Sequence, residues 1–419
     1  MTSTPANTAI WAIAILATAG VVVRPFKLPE AVWAVLGAGL LCATGLLPWT
    51  DGLAAGGKGL DVYLFLTGMM LLSETARREG LFDWVAAYAV NQARGSSRRL
   101  FLLVYGVGVV VTVFLSNDAT AVVLTPAVFA ATRRARAEPL PHIFICAFVT
   151  NAASFVLPIS NPANLVLYGD HTPQLGRWLA SFALPSALAI LATYGALRWV
   201  ERAQLAGACE HEVDQPILQV GGWTALAGIG MTAVALLVVS AMDVRLGLPT
   251  CILGVLTCAA VLIRSREAPW SILKGVSWAV LPLVAGLFVM VEALNRTGLV
   301  SSLAQTLRAA SDASAAGAAA LAGGTIAVVS NLMNNLPAGL IASGVINQAH
   351  PPRPVVDALL IGVDLGPNLS ITGSLATILW LTAIRRESAD VSFWRFLKTG
   401  ALVMPPALAL AIGARLLLG

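Results

Sequence analysis

A stretch of the chain recurs 218 residues further on. Segment 68–81 reads GMMLLSETARREGL and segment 286–299 reads GLFVMVEALNRTGL, so Gly, Glu, Arg and a Gly-Leu pair match at one offset. About the same offset relates two polar breaks within apolar runs, at residues 116–118 and 334–335. A chain that repeats in this way is expected to fold as two related halves. Paired interruptions in the two halves indicate a binding site between them.

The composition indicates that the chain lies in a membrane. Hydrophobic residues fill 58% of its 419 positions and charged residues only 11%, whereas about a quarter of the residues in a soluble domain are charged. The first seven residues lack the positive charges of a signal peptide, so the apolar run 8–23 is predicted to be the first spanning helix. The net charge of +5 fits basic cytoplasmic loops better than a nucleic-acid partner.

The cysteines are odd in number and scattered, which favours buried packing over a disulfide framework. A soft-metal site is the alternative, because two cysteines stand seven residues apart on one helical face. Such a site needs a third thiol brought in by folding. We therefore predict no cofactor. The five positions are Cys42, Cys146, Cys209, Cys251 and Cys258.

Ten apolar runs are long enough to cross about 30 Å of hydrocarbon. Two of them, 142–169 and 355–384, are interrupted by dense proline and glycine at 158–162 and 366–373. Exposed backbone at membrane depth is tolerated only within protein or along a cavity, so we predict two broken transmembrane helices. The other eight runs cover residues 8–23, 29–47, 60–76, 177–198, 221–241, 247–263, 278–295 and 399–418.

The runs 100–132 and 317–349 each divide at a polar pair into two short arms. A helical arm of about 15 residues reaches only about 22 Å, which is too short to cross the membrane. We therefore predict two re-entrant hairpins. Arginines on both sides of the first hairpin place both of its ends in the cytoplasm.

The predicted fold is an all-α polytopic membrane protein with an inverted structural repeat. Two five-helix halves, 1–200 and 221–419, flank a hydrophilic linker at 201–220, and each half contains one hairpin and one broken helix. With about ten crossings and two hairpins, both termini are predicted to lie on the outer side of the inner membrane. Nineteen of the 26 Lys and Arg then lie on the cytoplasmic side. Because each half has an odd number of crossings, the copies are inverted. Amphipathic segments 81–93 and 299–309 are predicted to lie along the interface.

The two hairpin tips and the two broken helices are predicted to converge near the bilayer centre as a substrate site. Each offers the positive end of a half-helix together with polar side chains. The alternative is that these residues only cap short helices, as Asn161 before Pro162 and Asn335 before Leu336-Pro337 would do. The candidate substrate-binding residues are Ser116, Asn117, Asp118, Ser160, Asn161, Asn334, Asn335, Asn368, Thr372 and Gly373.

Asp118 and Asp364 are the carboxylates nearest to these breaks. An ionised carboxylate inside a membrane costs about 3 kcal/mol even on the gentler insertion scales, so both are candidates for proton coupling. Asp118 has the alternative role of capping the helix that follows it. Asp364 lies one turn before its break and has no such role.

The repeated glutamates precede arginines by four residues. Glu74 is followed by Arg78, and Glu292 by Arg296. This is the favourable spacing for an ion pair on one helix. We interpret both pairs as structural clamps.

The four breaks carry motifs that resemble those of a known family. The motifs are Asn117-Asp118-Ala-Thr-Ala-Val-Val-Leu-Thr125-Pro126, Met333-Asn334-Asn335-Leu-Pro337, Ser160-Asn161-Pro-Ala-Asn164-Leu and Asp364-Leu-Gly366-Pro367-Asn-Leu-Ser-Ile-Thr372-Gly373-Ser374-Leu-Ala-Thr377-Ile-Leu-Trp. With these motifs the chain resembles the arsenite efflux permeases (ArsB type) of the ion transporter superfamily, over both halves and nearly end to end. It departs from the family's pattern at Ala119, where Gly is usual, and at Asn368, where Lys is common.

The resemblance implies a secondary transporter that exports arsenite and antimonite from the cytoplasm, driven by the proton motive force. It also implies an optional partner, a cytoplasmic arsenite-stimulated ATPase. The chain itself contains no GxxxxGK(S/T) nucleotide-binding loop, so we predict that it is not an enzyme and does not hydrolyse ATP.

Two other classes remain open. A Na⁺-coupled carboxylate symporter or a Na⁺/H⁺ antiporter has the same architecture, but carboxylate carriers of this superfamily use paired Ser-Asn-Thr tips. Here the first tip carries Asp118, which would repel an anion. A membrane scaffold or an intramembrane enzyme is the other class, and the sequence offers neither a nucleophile and base pair nor a His-rich metal motif.

Overall fold

The computed structural model describes residues 5–169, 172–242, 244–266 and 268–419. The secondary structure of this part of the chain is helical, which confirms the prediction of an all-α polytopic membrane protein. Seven of the described helices are long and apolar enough to cross a membrane. Two of the seven, Ser97–Phe114 and Ala315–Met333, are arms of the predicted hairpins, so the expectation that these arms are too short to cross was wrong, and the re-entrant character of the hairpins stays a prediction. The count rises to eight if Val280–Arg296 and Leu299–Ala313, which meet at 73°, are taken as one broken span. The figure of ten crossings stays a prediction.

The helices of the first half follow the predicted apolar runs closely, and the short α3 is an addition to them. A π-helical turn, Thr120–Leu124, joins α7 to α8. In chain order the helices are α1 (Pro5–Val23), α2 (Glu30–Ala43), α3 (Trp49–Gly57), α4 (Leu60–Arg78), α5 (Leu81–Ala93), α6 (Ser97–Phe114), α7 (Asn117–Ala119), α8 (Thr125–Arg134), α9 (Pro139–Ala152), α10 (Pro162–Tyr168) and α11 (Leu175–Val200).

The second half has a matching order, and the short α14 is its unpredicted addition. Proline occupies the first turn of α10 and of α19, where the missing N–H costs no helical hydrogen bond. The helices are α12 (Val220–Ala241), α13 (Gly247–Ser265), α14 (Trp270–Gly275), α15 (Val280–Arg296), α16 (Leu299–Ala313), α17 (Ala315–Met333), α18 (Asn335–Ala349), α19 (Arg353–Leu365), α20 (Leu375–Arg386) and α21 (Phe393–Leu417).

The repeated glycines lie where helices of the two halves approach most closely. A Cβ on Gly68 of α4 would lie 2.2 Å from the Thr250 carbonyl oxygen of α13. A Cβ on Gly286 of α15 would lie 2.7 Å from the Ala34 carbonyl oxygen of α2. Glycine is therefore required at both crossings, since any side chain would push the backbones apart. The repeat thus pairs α4 with α13 and α15 with α2.

The helices form two packed groups. We call α1–α4 with α12–α15 the scaffold bundle, which contains the two glycine crossings. We call α5–α11 with α16–α21 the core bundle, in which α11 packs on α21, α17 on α19 and α6 on α9. The bundles meet along a seam where α15 contacts α18 and α4 contacts α10. Both hairpins and both broken helices belong to the core bundle.

The hydrophilic linker lies against the first half of the core bundle. The Asn91 side chain donates to the Val213 carbonyl at 3.1 Å and accepts from the Val213 N–H at 2.8 Å. The Glu210 N–H donates to the Ala135 carbonyl at 2.7 Å, just after α8. The linker is therefore anchored to the ends of the first hairpin and to α5.

The predicted Glu-Arg clamps have other partners. Glu74 binds Arg77 through two hydrogen bonds of 2.6 and 2.7 Å, so the pair is spaced by three residues instead of four. Glu292 binds Lys58 at 2.9 Å. Arg296 binds Asp51. The predicted pairs were wrong for two reasons. Glu74 pairs one position earlier on the same helix, with Arg77, and the unpredicted α3, which packs against α15, brings Asp51 and Lys58 to Arg296 and Glu292.

Candidate functional site

The first hairpin turns at Ser116, which caps its second arm. The Ser116 Oγ accepts from the Ala119 N–H at 3.3 Å, and the Asn117 Oδ1 accepts from the Asp118 N–H at 2.9 Å. Thr112 and Thr120 hydroxyls lie 2.8 Å apart and tie the two arms together. The π-helical turn follows directly, and such turns often occur at functional sites.

The second hairpin turns at Asn334 in an equivalent way. The Asn334 Oδ1 accepts from the Leu336 N–H at 3.3 Å, so the cap is Asn334 and the prediction of Asn335 as the cap was wrong. Asn335 is buried in the first turn of α18. The predicted cap lies one residue after the observed one. Both positions hold asparagine, and either asparagine could cap a helix, so the sequence alone did not distinguish them.

Both tips hold a non-glycine residue in a strained backbone conformation. Ser116 has φ 153° and ψ 165°, and Asn334 has φ 76° and ψ 151°. This region is almost restricted to glycine and costs on the order of 1–3 kcal/mol. Positions 116 and 334 are related by the same offset of 218 residues as the repeat. Such strain concentrates at functional sites, which favours a role for both tips.

The two broken helices are interrupted where the sequence predicts. Between α9 and α10 the chain forms a 3-10 turn, Pro158–Ser160, and the Asn161 Oδ1 then accepts from the Ala163 N–H at 3.0 Å. Asn161 therefore caps α10, which confirms that prediction. Between α19 and α20 lie two more 3-10 turns, and Ser374 caps α20 through the Thr377 N–H at 3.1 Å.

Three buried hydrogen bonds join the broken helices to each other. Asn161 Nδ2 donates to Asp364 Oδ1 at 2.8 Å. Asn151 Nδ2 donates to Asn368 Oδ1 at 2.9 Å, and Asn368 Nδ2 donates to the Phe148 carbonyl at 3.0 Å. Asp364 is fully buried, and its Oδ2 has no hydrogen-bond partner among the described residues. The start of α10 therefore rests on a buried carboxyl group of the other half.

Each broken helix is also joined to the hairpin of its own half. The Ser160 Oγ donates to the Val113 carbonyl of α6 at 3.1 Å. The Thr372 Oγ1 donates to the Asn331 carbonyl of α17 at 2.8 Å. Gly373 is required beside this contact, because a Cβ there would lie 2.6 Å from the Asn331 Oδ1.

Asn331 connects the second break to α17. Its Nδ2 donates to the Gly366 carbonyl at 2.9 Å, and its Oδ1 accepts from the Ser370 hydroxyl at 2.8 Å. The sequence reasoning missed this residue. The signal was present, since Asn331 is a polar residue in the same apolar run, three positions before the predicted tip.

A cavity lies at the first hairpin tip, on the seam between the bundles. The volume within it that is open to a water-sized molecule is about 50 Å³. Ser116 and Asp118 line it from the core bundle, and Ser73 and Glu74 line it from α4 of the scaffold bundle. Pro162, the first residue of α10, also contributes to the wall. The charged side chains of this lining are two carboxylates, of which Glu74 is paired with Arg77.

The predicted site residues therefore divide into two groups. Ser116 and Asp118 line the cavity, and Asp118 is partly exposed there. The others do not line this cavity, and most of them are buried in the tips and breaks. Whether they bind substrate stays a prediction. Those buried residues are Asn117, Ser160, Asn161, Asn334, Asn335, Asn368 and Asp364, with Thr372 and Gly373 beside them.

A second buried network lies at the other end of α10. The Tyr168 hydroxyl donates to Asp357 Oδ1 at 2.7 Å, and Arg415 Nε donates to Asp357 Oδ2 at 2.7 Å. Asp357 and the Arg415 side chain are buried, and Arg353 approaches the same carboxylate at 3.7 Å. The sequence feature that points to this network is Arg415, an arginine within the last apolar run, 399–418. The charge count treats it only as a basic residue on the outer side. Both ends of α10 thus rest on aspartates of the second half.

The cysteines are free thiols, and four of the five are buried. Cys251 on α13 is the partly exposed one.

Comparison with known proteins gives a consistent picture. A family model described as citrate transporter (CitMHS) matches residues 11–362. The arsenical pump membrane protein of Escherichia coli is 25% identical over 427 aligned residues, covering 96% of this chain and 97% of that protein. This supports the resemblance to arsenite permeases drawn from the motifs.

Two solved structures share the fold. The YdaH transporter of Alcanivorax borkumensis superposes with a TM-score of 0.56 at 17% identity, over 99% of this chain and 98% of that one. The MtrF efflux pump of Neisseria gonorrhoeae gives a TM-score of 0.53 at 12% identity, over 98% and 95% of the two chains. Both are described as transport proteins, and at these identities the likeness concerns the fold alone.

Proposed function

Because this chain belongs to the citrate transporter (CitMHS) family, we propose that it is a secondary transporter, and that its cargo is arsenite and antimonite, exported from the cytoplasm in exchange for protons. The observation that carries the choice of cargo is the cavity at the first hairpin tip, with Asp118, Ser116 and Ser73 in its lining. The nearly full-length similarity to arsenical pump proteins supports it.

The chemistry of the cavity suits a small neutral solute. Arsenite at neutral pH is As(OH)₃, an uncharged trihydroxide. Hydroxyl and carboxylate oxygens can accept hydrogen bonds from its three O–H groups, and serine hydroxyls can donate hydrogen bonds to its oxygens. Because none of these groups forms a covalent bond to arsenic, release of the solute requires only that hydrogen bonds break.

Citrate transport is the second candidate, since the family model carries that description. Citrate is a multiply charged anion near neutral pH, and binding it requires compensating positive charge. The charged groups that line the cavity are Glu74 and Asp118. Glu74 is compensated by Arg77, which leaves Asp118 to oppose an anion, so the cavity favours the neutral cargo.

Asp364 is proposed as the proton-coupling group. Its Oδ1 accepts from Asn161, which caps α10, and α10 begins at the cavity wall with Pro162. Gain or loss of a proton at Asp364 would change the charge beneath this cap and therefore bias the position of α10. Asp118 would bind the solute at the cavity itself.

The energetics allow useful export. Exchange of a neutral solute for an inward proton moves one charge, which releases about 2.3 kcal/mol per 100 mV. That amount supports a roughly fiftyfold concentration gradient.

The inverted repeat and the placement in the inner membrane with both termini outside belong to the same proposal. The repeat is supported by the equivalent glycine crossings and by the positive φ that residues 116 and 334 share. A cytoplasmic arsenite-stimulated ATPase remains a proposed optional partner.

The test is arsenite uptake into everted membrane vesicles with an imposed pH gradient. We expect uptake that collapses with a protonophore and is the same with and without Na⁺. Citrate should neither enter nor compete. Strict Na⁺ dependence, or citrate uptake without arsenite uptake, would overturn the proposal in favour of the carboxylate symporter.

A further inference from the structure

A second cavity opens on the same seam at the far end of α10. It lies between α3 and α15 of the scaffold bundle and α10 and α18 of the core bundle, and the volume within it that is open to a water-sized molecule is about 300 Å³. Its polar lining consists of Lys58, Tyr168, Glu292, Asn295, Ser343 and Asn347.

Two helices line both cavities. On α15, Val280 borders the first cavity and Phe288 borders the second, a rise of about 12 Å along the helix axis. On α10, Pro162 borders the first cavity and Tyr168 the second. The two cavities therefore lie along the same seam, about two helical turns apart on α15.

The second cavity offers uncommitted hydrogen-bonding groups. The side chains of Asn295, Ser343 and Asn347 form no hydrogen bond with the described part of the chain. Ser343 is 8% exposed as a residue and lines the cavity. Its hydroxyl is open to the cavity and can therefore donate to and accept from a solute or water.

The charges in this cavity cancel. Lys58 Nζ lies 2.9 Å from Glu292 Oε2, and the Lys58 side chain is 63% exposed whereas that of Glu292 is 23% exposed. The ammonium group therefore lies towards the mouth, with the carboxylate behind it. A neutral solute meets two amides and a hydroxyl, while an ion meets no uncompensated charge of opposite sign.

We propose that this second cavity is a binding vestibule for a small neutral polyhydroxylated solute on the opposite membrane face from the first. Asn295, Ser343 and Asn347 bind the solute, and the Lys58–Glu292 ion pair closes the mouth. The assignment of arsenite as that solute rests on the proposed function. The vestibule itself rests on the geometry of the seam.

The test uses single cysteines and a charged, membrane-impermeant methanethiosulfonate reagent, with the unsubstituted chain as background. Ser343→Cys should react from the outer face of intact cells, and arsenite should slow this reaction several-fold. Ala313→Cys, at the exposed end of α16, is the matched control. It should react from the same side with no protection, which excludes simple capture of arsenite by a thiol.

Ser73→Cys in the first cavity separates the two claims. In everted vesicles it should react and be protected by arsenite. Protection at Ser73→Cys without any at Ser343→Cys would overturn the vestibule and leave the proposed function standing. Loss of protection at both, together with absent arsenite uptake, would overturn both.

The ion pair is tested without any cargo. Lys58→Glu in the Ser343→Cys chain places two carboxylates at the mouth, so the labelling rate should rise several-fold. Adding Glu292→Lys restores an opposite pair and should return the rate to its starting value. An unchanged rate in the single variant, or no recovery in the double variant, would remove the ion pair as the closure of the mouth.

Discussion

The two half-helices that follow the breaks, α10 and α20, are held in different ways. Both ends of α10 rest on carboxylates of the other half, Asp364 through Asn161 and Asp357 through Tyr168. The start of α20 rests on neutral groups of its own half, through the Ser374 cap and the neighbouring hydroxyls. Further along, the Trp380 indole N–H donates to the Ile143 carbonyl at 2.8 Å.

This difference indicates where protons can act. Neutral amide and hydroxyl bonds keep their strength across physiological pH, whereas a bond to a carboxyl group changes when the group gains a proton. α10 lines both cavities, whereas α20 reaches only the first, through Leu379. The half-helix that is more exposed to the solute is therefore the one held by carboxyl groups. We therefore expect α10 to carry coupling and α20 to provide a fixed support.

The largest effect is expected at the start of α10. Asp364→Asn should abolish arsenite uptake driven by a pH gradient, because an amide keeps the bond from Asn161 but cannot cycle a proton. Arsenite–arsenite exchange without a gradient should persist. Both are measured in everted vesicles.

Asp390→Asn is the matched control, because that carboxylate is exposed and paired with Arg385 outside the site. It should behave as the unsubstituted chain. Uphill transport at the normal rate by Asp364→Asn would move the coupling role to Asp118 or to a group interpreted here as structural.

The far end of α10 should show the largest loss of stability. Arg415→Met leaves the buried Asp357 without its closest cation, which costs about 3–5 kcal/mol when one partner of a buried pair is removed. Thermal unfolding in detergent measures the loss. The double variant Asp357→Leu/Arg415→Met should recover most of it, since no buried charge is then left. A single variant as stable as the parent would mean that Arg353 alone compensates the carboxylate.

At the cavity, a binding effect is expected that is distinct from coupling. Asp118→Asn should weaken the apparent affinity for arsenite about tenfold, or about 1.4 kcal/mol, through loss of one charge-assisted hydrogen bond. Direct binding to purified protein measures it. Unchanged affinity with lost uphill transport would exchange the roles of Asp118 and Asp364.

The helix bounds and breaks could be predicted from the sequence because they depend on local features. Apolar length predicts a crossing, and proline after asparagine predicts the start of α10 at Asn161. The repeat also predicts that the two hairpin tips, at residues 116 and 334, lie at equivalent positions in the two halves. These features involve residues that are close together in the chain.

The missed features depend on contacts between distant residues. Lys58 pairs with Glu292 across 234 positions, and Arg415 pairs with Asp357 across 58 positions. Neither spacing carries a local pattern. Asn331 and Arg415 were nevertheless visible as polar residues in apolar runs, and such residues are expected to face partners within the bundle.

The smallest effect compares the two half-helices directly. Tyr168→Phe removes one hydrogen bond to Asp357, which keeps Arg415, and should cost about 1 kcal/mol of stability. Ser374→Ala removes the cap of α20 and should cost a similar amount. If α10 is the coupling element, the two variants will differ in transport although their unfolding temperatures fall together. Tyr168→Phe should change the rate of uphill arsenite uptake up to fivefold, as about 1 kcal/mol allows, whereas Ser374→Ala should leave that rate unchanged. Equal transport by both variants at equal stability would remove the distinction between α10 and α20. Asp364 would then be a coupling group that acts without movement of α10.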